Sequence, residues 1–215
     1  GGVFIWTNKE LTEDELIIHR RFTSVLSLAY RRYKDLQHAE LLAKEATIEA
    51  ALEKVRGKAM AMHNSNDLLV TAGMVFTELR KLGVRPMRCG VSILNKTNRN
   101  ILLYSATASE EGDQLSLLGT AVLADHPILA GIYDHWILGK DYFPLMEGEI
   151  LNAYYEKIKL SFAVPASARK GDKQFGYFLV FSEGMFYGWS DKPFADEDIK
   201  ILHRFKSIID LTFRR

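Results

Sequence analysis

From Thr12 to Met62 apolar residues recur at alternating four- and three-residue steps, with no proline and one internal glycine, Gly57. That spacing predicts one long amphipathic helix. At about 1.5 Å per residue it would extend roughly 75 Å, far beyond the usual helix of a compact domain. The segment therefore reads as a connecting helix ahead of a globular domain. Two stripes run along it in different registers. Ile18, Phe22, Val25, Ala29, Tyr33 and Leu36 form the first; Leu41, Ile48, Leu52, Val55, Ala59 and Met62, with Glu45 as a polar intruder, form the second. Sustained 4-3 spacing is the pattern of a helix lying along a partner helix, so a coiled coil is expected. A helix lying on its own domain is the alternative.

Beyond Asn64–Asp67 the pattern restarts. Leu68, Leu69, Ala72, Val75, Phe76 and Leu79 make the buried face of a second helix, which Gly83 ends before Pro86. The period then falls to that of strands. Arg88–Leu94 and Ile101–Ser105 flank the polar turn Asn95–Asn100 as a hairpin. Ala106–Gln114 reads as a loop and Leu115–Leu123 as a third strand. After His126-Pro127 a mainly helical stretch is broken by Gly139, Pro144 and Gly148. Leu160–Pro165, Gln174–Phe181 and Met185–Trp189 are the remaining strands, before a last helix. Gln174–Phe181 is apolar on both parities, as in a central strand covered on both faces. The fold class is α/β (α+β): a mostly antiparallel sheet with flanking helices, one group of them inserted as a cover on the second face.

The first thirty-odd residues resemble the last thirty. Without a gap, Trp6 answers Trp189, Lys9 answers Lys192, Arg21-Phe22 answer Arg204-Phe205, Ser24 answers Ser207, and Arg31-Arg32 answer Arg214-Arg215. About a third of the positions are identical, which marks an internal repeat. Each copy has a strand (Val3–Trp6; Met185–Trp189), an acidic helix start and a helix. Thr12 stands three residues before Glu15, the spacing of a capping box. The first copy has lost its native cover, so its Phe22 stripe is expected to close over residues 16–36 of a second chain.

Composition narrows the function. Hydrophobic residues make up 47% of the chain, enough for one good core and a smaller appendage. The net charge is +1, from 28 basic and 27 acidic residues. That balance argues against a general electrostatic grip on nucleic acid or on an anionic membrane. One cysteine, Cys89, excludes an intrachain disulfide framework and a multi-cysteine zinc site, and fits a reducing, cytoplasmic setting. No apolar run reaches membrane-spanning length. The opening GGVFIW carries neither a starting methionine nor a basic leader, so the expectation is a piece of a longer protein without a signal peptide.

The run Leu52-Glu-Lys-Val-Arg-Gly-Lys-Ala-Met-Ala-Met62-His-Asn-Ser, the following helix and the Cys89-Gly-Val-Ser-Ile-Leu hairpin resemble GAF sensor domains of bacterial signalling proteins, especially tandem-GAF sensor histidine kinases. The closing Phe194-Ala-Asp-Glu-Asp-Ile and the Phe205 helix are similar to the end of such a domain. The resemblance implies a PAS-like domain over 63–215, a helical coiled-coil linker over 37–62, and the final strand and helix of a preceding, truncated copy over 1–36. It also implies a non-enzymatic module that binds a small ligand or a partner and acts through its flanking helices on an output domain.

Ligands of the family sit between the sheet and the inserted cover, which makes His126, Tyr133, Trp136, Tyr142 and Phe143 the candidate ligand-binding residues. Aromatics with polar edges suit such a cavity; ordinary core packing is their other reading. His126 and His135 follow Asp125 and Asp134 without a tight ligand spacing, so hydrogen bonding is expected of them and no metal. Cys89 has the parity of Val91 and Ile93 and reads as a buried structural thiol. GAF-type methionine sulfoxide reductases use several cysteines, which this chain lacks. Asn95-Lys96 and Phe194-Ala-Asp196-Glu197 are similar to the signature of cyclic-nucleotide GAF domains, but with one residue rather than three between Phe and Asp. A hairpin turn and a helix cap account for them. No phosphate loop, serine elbow or kinase signature is present, and neither His19 nor His63 reads as a phosphoacceptor. No catalytic residues and no cofactor are expected. The partners are a second copy, through helix 12–62, and an unidentified small molecule; a ligand-free scaffold is the alternative.

Overall fold

The computed structural model describes residues 2–62, 65–109, 112–122, 126–159, 169 and 171–213. The chain forms two compact units, Gly1–Thr47 and Ile48–Arg215. One helix, α1 (Glu13–Met60), contributes to both.

In the first unit Thr12 is the cap of α1, and the capping box forms. The Thr12 amide donates to the Glu15 carboxylate at 2.8 Å, and the Glu15 amide donates to Thr12 Oγ1 at 3.3 Å. These two bonds satisfy amides that a helix start leaves without partners. The expected strand Val3–Trp6 is not formed. The segment is extended but pairs with no strand, because strand geometry is held by a ladder and none of the described residues offers it an edge. The first stripe stands in the open: Ile18 is 62% exposed, Phe22 69% and Val25 67%.

In the second unit α2 (Ser65–Lys81) ends in a Schellman motif at Gly83, whose φ of 89° suits glycine. The Gly83 amide donates to the Arg80 carbonyl at 3.1 Å and the Val84 amide to the Leu79 carbonyl at 3.0 Å. The strands are β1 (Arg88–Leu94), β2 (Asn100–Ser109) and β3 (Gly112–Val122), then β4 (Leu145–Glu147), β5 (Lys173–Phe181) and β6 (Gly184–Ser190). They form one antiparallel sheet in the order β3-β2-β1-β6-β5-β4. The described residues of the expected loop Ala106–Gln114 are strand instead, since β2 and β3 stay paired from Asn100↔Val122 to Ser109↔Gly112. The short β4 was not anticipated; three residues are too few for a readable alternation. The strand expected at Leu160–Pro165 falls outside the described residues.

Alternation along the strands sends side chains into two separate layers. Cys89, Val91, Tyr104, Tyr177, Leu179 and Phe186 pack against α2, α5 (Asp196–Phe213) and the second stripe of α1. There Ile48, Leu52, Val55 and Ala59 are buried. The expected linker 37–62 is thus divided: from Ile48 onward it is core of its own domain, because these side chains find the sheet rather than a partner helix. On the opposite face Phe178, Met185, Tyr187 and Trp189 pack against α3 (Pro127–Ile137) and α4 (Gly148–Lys159). Both faces of β5 are therefore covered, as its sequence requires.

Candidate functional site

Arg88 opens β1 and pairs with Thr107 on one side and Trp189 on the other. Its neighbour Cys89 faces the α2/α5 layer, so alternation turns Arg88 into the α3/α4 layer. The side chain is only 2% exposed. Its guanidinium carbon lies 5.2 Å from the ring of Trp189, 5.4 Å from that of Tyr155 and 5.8 Å from that of Tyr154. Among the described residues no carboxylate pairs with it, and Nη2 has no hydrogen-bond partner. Burying an unpaired charge is costly. Desolvated contact with an aromatic face offsets roughly 2 kcal/mol of that cost. Thr107, at the facing position of β2, has a buried Oγ1 that is likewise unpartnered.

A cavity of about 20 Å³ adjoins Arg88. Ile101 and Leu103 of β2, Leu129 and Ile132 of α3 and Ile158 of α4 give its apolar wall, which Tyr154 and Tyr187 also line. The volume suits one water-sized body. Burial pushes the Tyr154 and Tyr187 phenols upward, so both stay protonated. The Tyr187 hydroxyl donates to the Tyr104 carbonyl at 3.3 Å, while Tyr155 donates to Gln174 Oε1 at 2.9 Å.

The five residues expected from the sequence do not converge on this cavity. His126 caps α3: its Nδ1 accepts from the Ile128 amide at 3.2 Å, and its ring meets the edge of Tyr154 at 5.6 Å. Burial lowers its pKa, helped by Lys157 and opposed by a backbone bond at Ile150, which keeps the ring neutral. Tyr133 and Trp136 are neighbours on α3, 6.1 Å apart between centroids. Tyr133 donates to the Lys96 carbonyl in the β1–β2 turn at 3.0 Å, and Trp136 Nε1 to the Phe181 carbonyl at 3.3 Å. These bonds tie α3 down to the sheet. Tyr142 stacks on His135 at 4.3 Å and bridges the Phe178 backbone. Phe143 is 52% exposed and touches Tyr177, a residue of the other layer. Sequence reasoning passed over Arg88, Tyr154, Tyr187 and Trp189. One signal was legible: a charged residue sharing the inward parity of Ser92 and Leu94 in an otherwise apolar strand.

Other candidates lie elsewhere. Cys89 is fully buried on the opposite layer. Asn95 holds the β1–β2 turn, accepting from the Thr97 amide at 2.8 Å, and Asp196-Glu197 lie in the first turn of α5. Among the described residues no cluster of His, Cys, Asp or Glu is placed to hold a metal, and no helix is long and apolar enough to cross a membrane.

No family model and no curated protein matches the chain. Among solved structures it is similar to one from Burkholderia vietnamiensis that carries the provisional name GAF sensor protein. The identity is 12% and the TM-score 0.44, over 80% of this chain and 99% of that one.

Proposed function

We propose that the chain is a non-enzymatic sensory and dimerisation module of a bacterial signal-transduction protein of the tandem-GAF, histidine-kinase type. A small ligand enters the layer between the sheet and α3/α4, and the resulting repacking passes into α1 as a change between two helix arrangements. One observation carries this reading. α1 spends its second stripe, from Ile48, inside the sensory core while presenting an uncovered apolar stripe from Ile18 to Leu36. A helix so divided suits joining a core to a partner. In this reading His126, Tyr133, Trp136 and Tyr142 set the position of α3 over the ligand, and Phe143 stands outside. The stripe closes over its counterpart in a second copy.

The small cavity favours a second reading, a scaffold whose pocket is filled by its own side chains. Native mass spectrometry of the purified protein at micromolar concentration separates the two. The sensor reading expects a dimer that retains or takes up a small molecule. A monomer would remove the dimer, and a bare dimer that takes up nothing would leave the scaffold.

A further inference from the structure

We propose that the α3/α4 layer receives a small monocarboxylate with an apolar tail, its carboxylate paired with the guanidinium of Arg88. The inference rests on the ligand-binding reading of that layer and names the ligand class. Arg88 is a charge almost wholly removed from water with no carboxylate of its own among the described residues, and its Nη2 has no partner there. Thr107 Oγ1, across the ladder, is a second unused donor. Two unused donors and one positive charge match one planar carboxylate better than a phosphate, which brings more oxygens and more charge. The rest of the wall is hydrocarbon, from Ile101, Leu129, Ile132 and Ile158. At about 20 Å³ the cavity holds one water-sized body as it stands, so a carboxylate enters only by displacing wall side chains, and a nucleotide is excluded. The carboxylate and its tail must displace Leu129 and Ile132, and with them α3, the further the longer the tail. Ligand length is thereby converted into helix movement.

The test titrates the purified chain, in a carboxylate-free buffer, with acetate, propionate and butyrate and separately with acetamide, propionamide and butyramide. Calorimetry and thermal melts are the readouts. Saturable binding of at least one acid is expected, with its amide at least about tenfold weaker, the loss of one charge-assisted pair. Arg88→Met, shown folded by circular dichroism, should lose acid binding by at least the same factor, and Arg88→Lys should fall between. Ile132→Phe, which fills the cavity and leaves Arg88 in place, should also abolish it, so a failure of Arg88→Met to fold does not shelter the proposal. Equal binding of acids and amides, or acid binding that survives Arg88→Met, overturns the carboxylate assignment while the ligand-binding reading stands. Binding of neither series overturns the carboxylate assignment, and the ligand-binding reading then stands or falls on the native mass spectrometry alone.

Discussion

Glu78 and Arg88 are both buried charges, and the molecule treats them in opposite ways. The Glu78 carboxylate receives Lys54 at 2.5 Å and Lys81 at 2.9 Å. Burial alone would raise its pKa, but the two lysines outweigh it and hold it below the ordinary 4.5. A depressed carboxylate contributes stability above the unfolded-chain value and loses it as the pH falls through the folded value. Glu78→Gln should therefore cost about 1–3 kcal/mol at pH 7, and the cost should shrink as the pH drops below about 4.5. Urea melts across pH 3–7 (roughly the carboxylate range) measure this, and a cost unchanged by pH would refute it. Arg88 has no such partner among the described residues, which is why it carries the ligand argument. Gly90, two residues on, is fixed by contact: a Cβ there would lie 1.9 Å from the Tyr104 carbonyl oxygen. Gly90→Ala should cost more than about 3 kcal/mol, read as a collapsed thermal transition.

The repeat supplies a control at the scale of elements. Both copies start their helix the same way: Glu15 reaches back to the Thr12 amide, and Asp198 reaches back to the Ala195 amide at 3.2 Å. The faces that follow differ in cover. Ile18, Phe22 and Val25 are exposed, whereas their counterparts Ile201, Phe205 and Ile208 are buried. Phe205→Ala should cost about 3–5 kcal/mol in chemical denaturation, as a large core truncation does. Phe22→Ala should leave that transition within about 0.5 kcal/mol, the usual range for an exposed site, and instead weaken dimerisation in analytical ultracentrifugation. Equal destabilisation by the two would show that the Phe22 stripe is already covered within one chain. The hairpin β1–β2, the cap at Thr12 and the stop at Gly83 were all legible from residues, because each is settled by neighbours within a few positions.

For the whole molecule the central feature is the separation of two apolar layers by one sheet. The layer holding α2, α5 and the second stripe of α1 is mostly hydrocarbon, and its buried charge, Glu78 on α2, is paired with lysines; the α3/α4 layer buries Arg88, His126 and Gln174. Hydrogen exchange should therefore report two kinds of region. Amides of β1, β5, β6 and α2 should be protected at every protein concentration. Amides of α1 from Glu13 to Thr47 should gain protection as the concentration rises and the dimer forms. Protection of that segment independent of concentration would exclude a dimer closed by the Phe22 stripe.

By itself the sequence determined the α+β class, the long helix and its cap, the central two-faced strand and the repeated helix start. Periodicity and short-range hydrogen bonding encode these locally. It did not determine the role of the Val3–Trp6 segment, since a strand exists only where another offers its edge. Nor did it decide that half of the α1 stripe belongs to the core, because a 4-3 spacing is the same whether the cover is a helix or a sheet. Only the tertiary structure brought Arg88, Ile101 and residues of α3 and α4 around one cavity. Those contacts join positions far apart in the chain, and no local pattern records them.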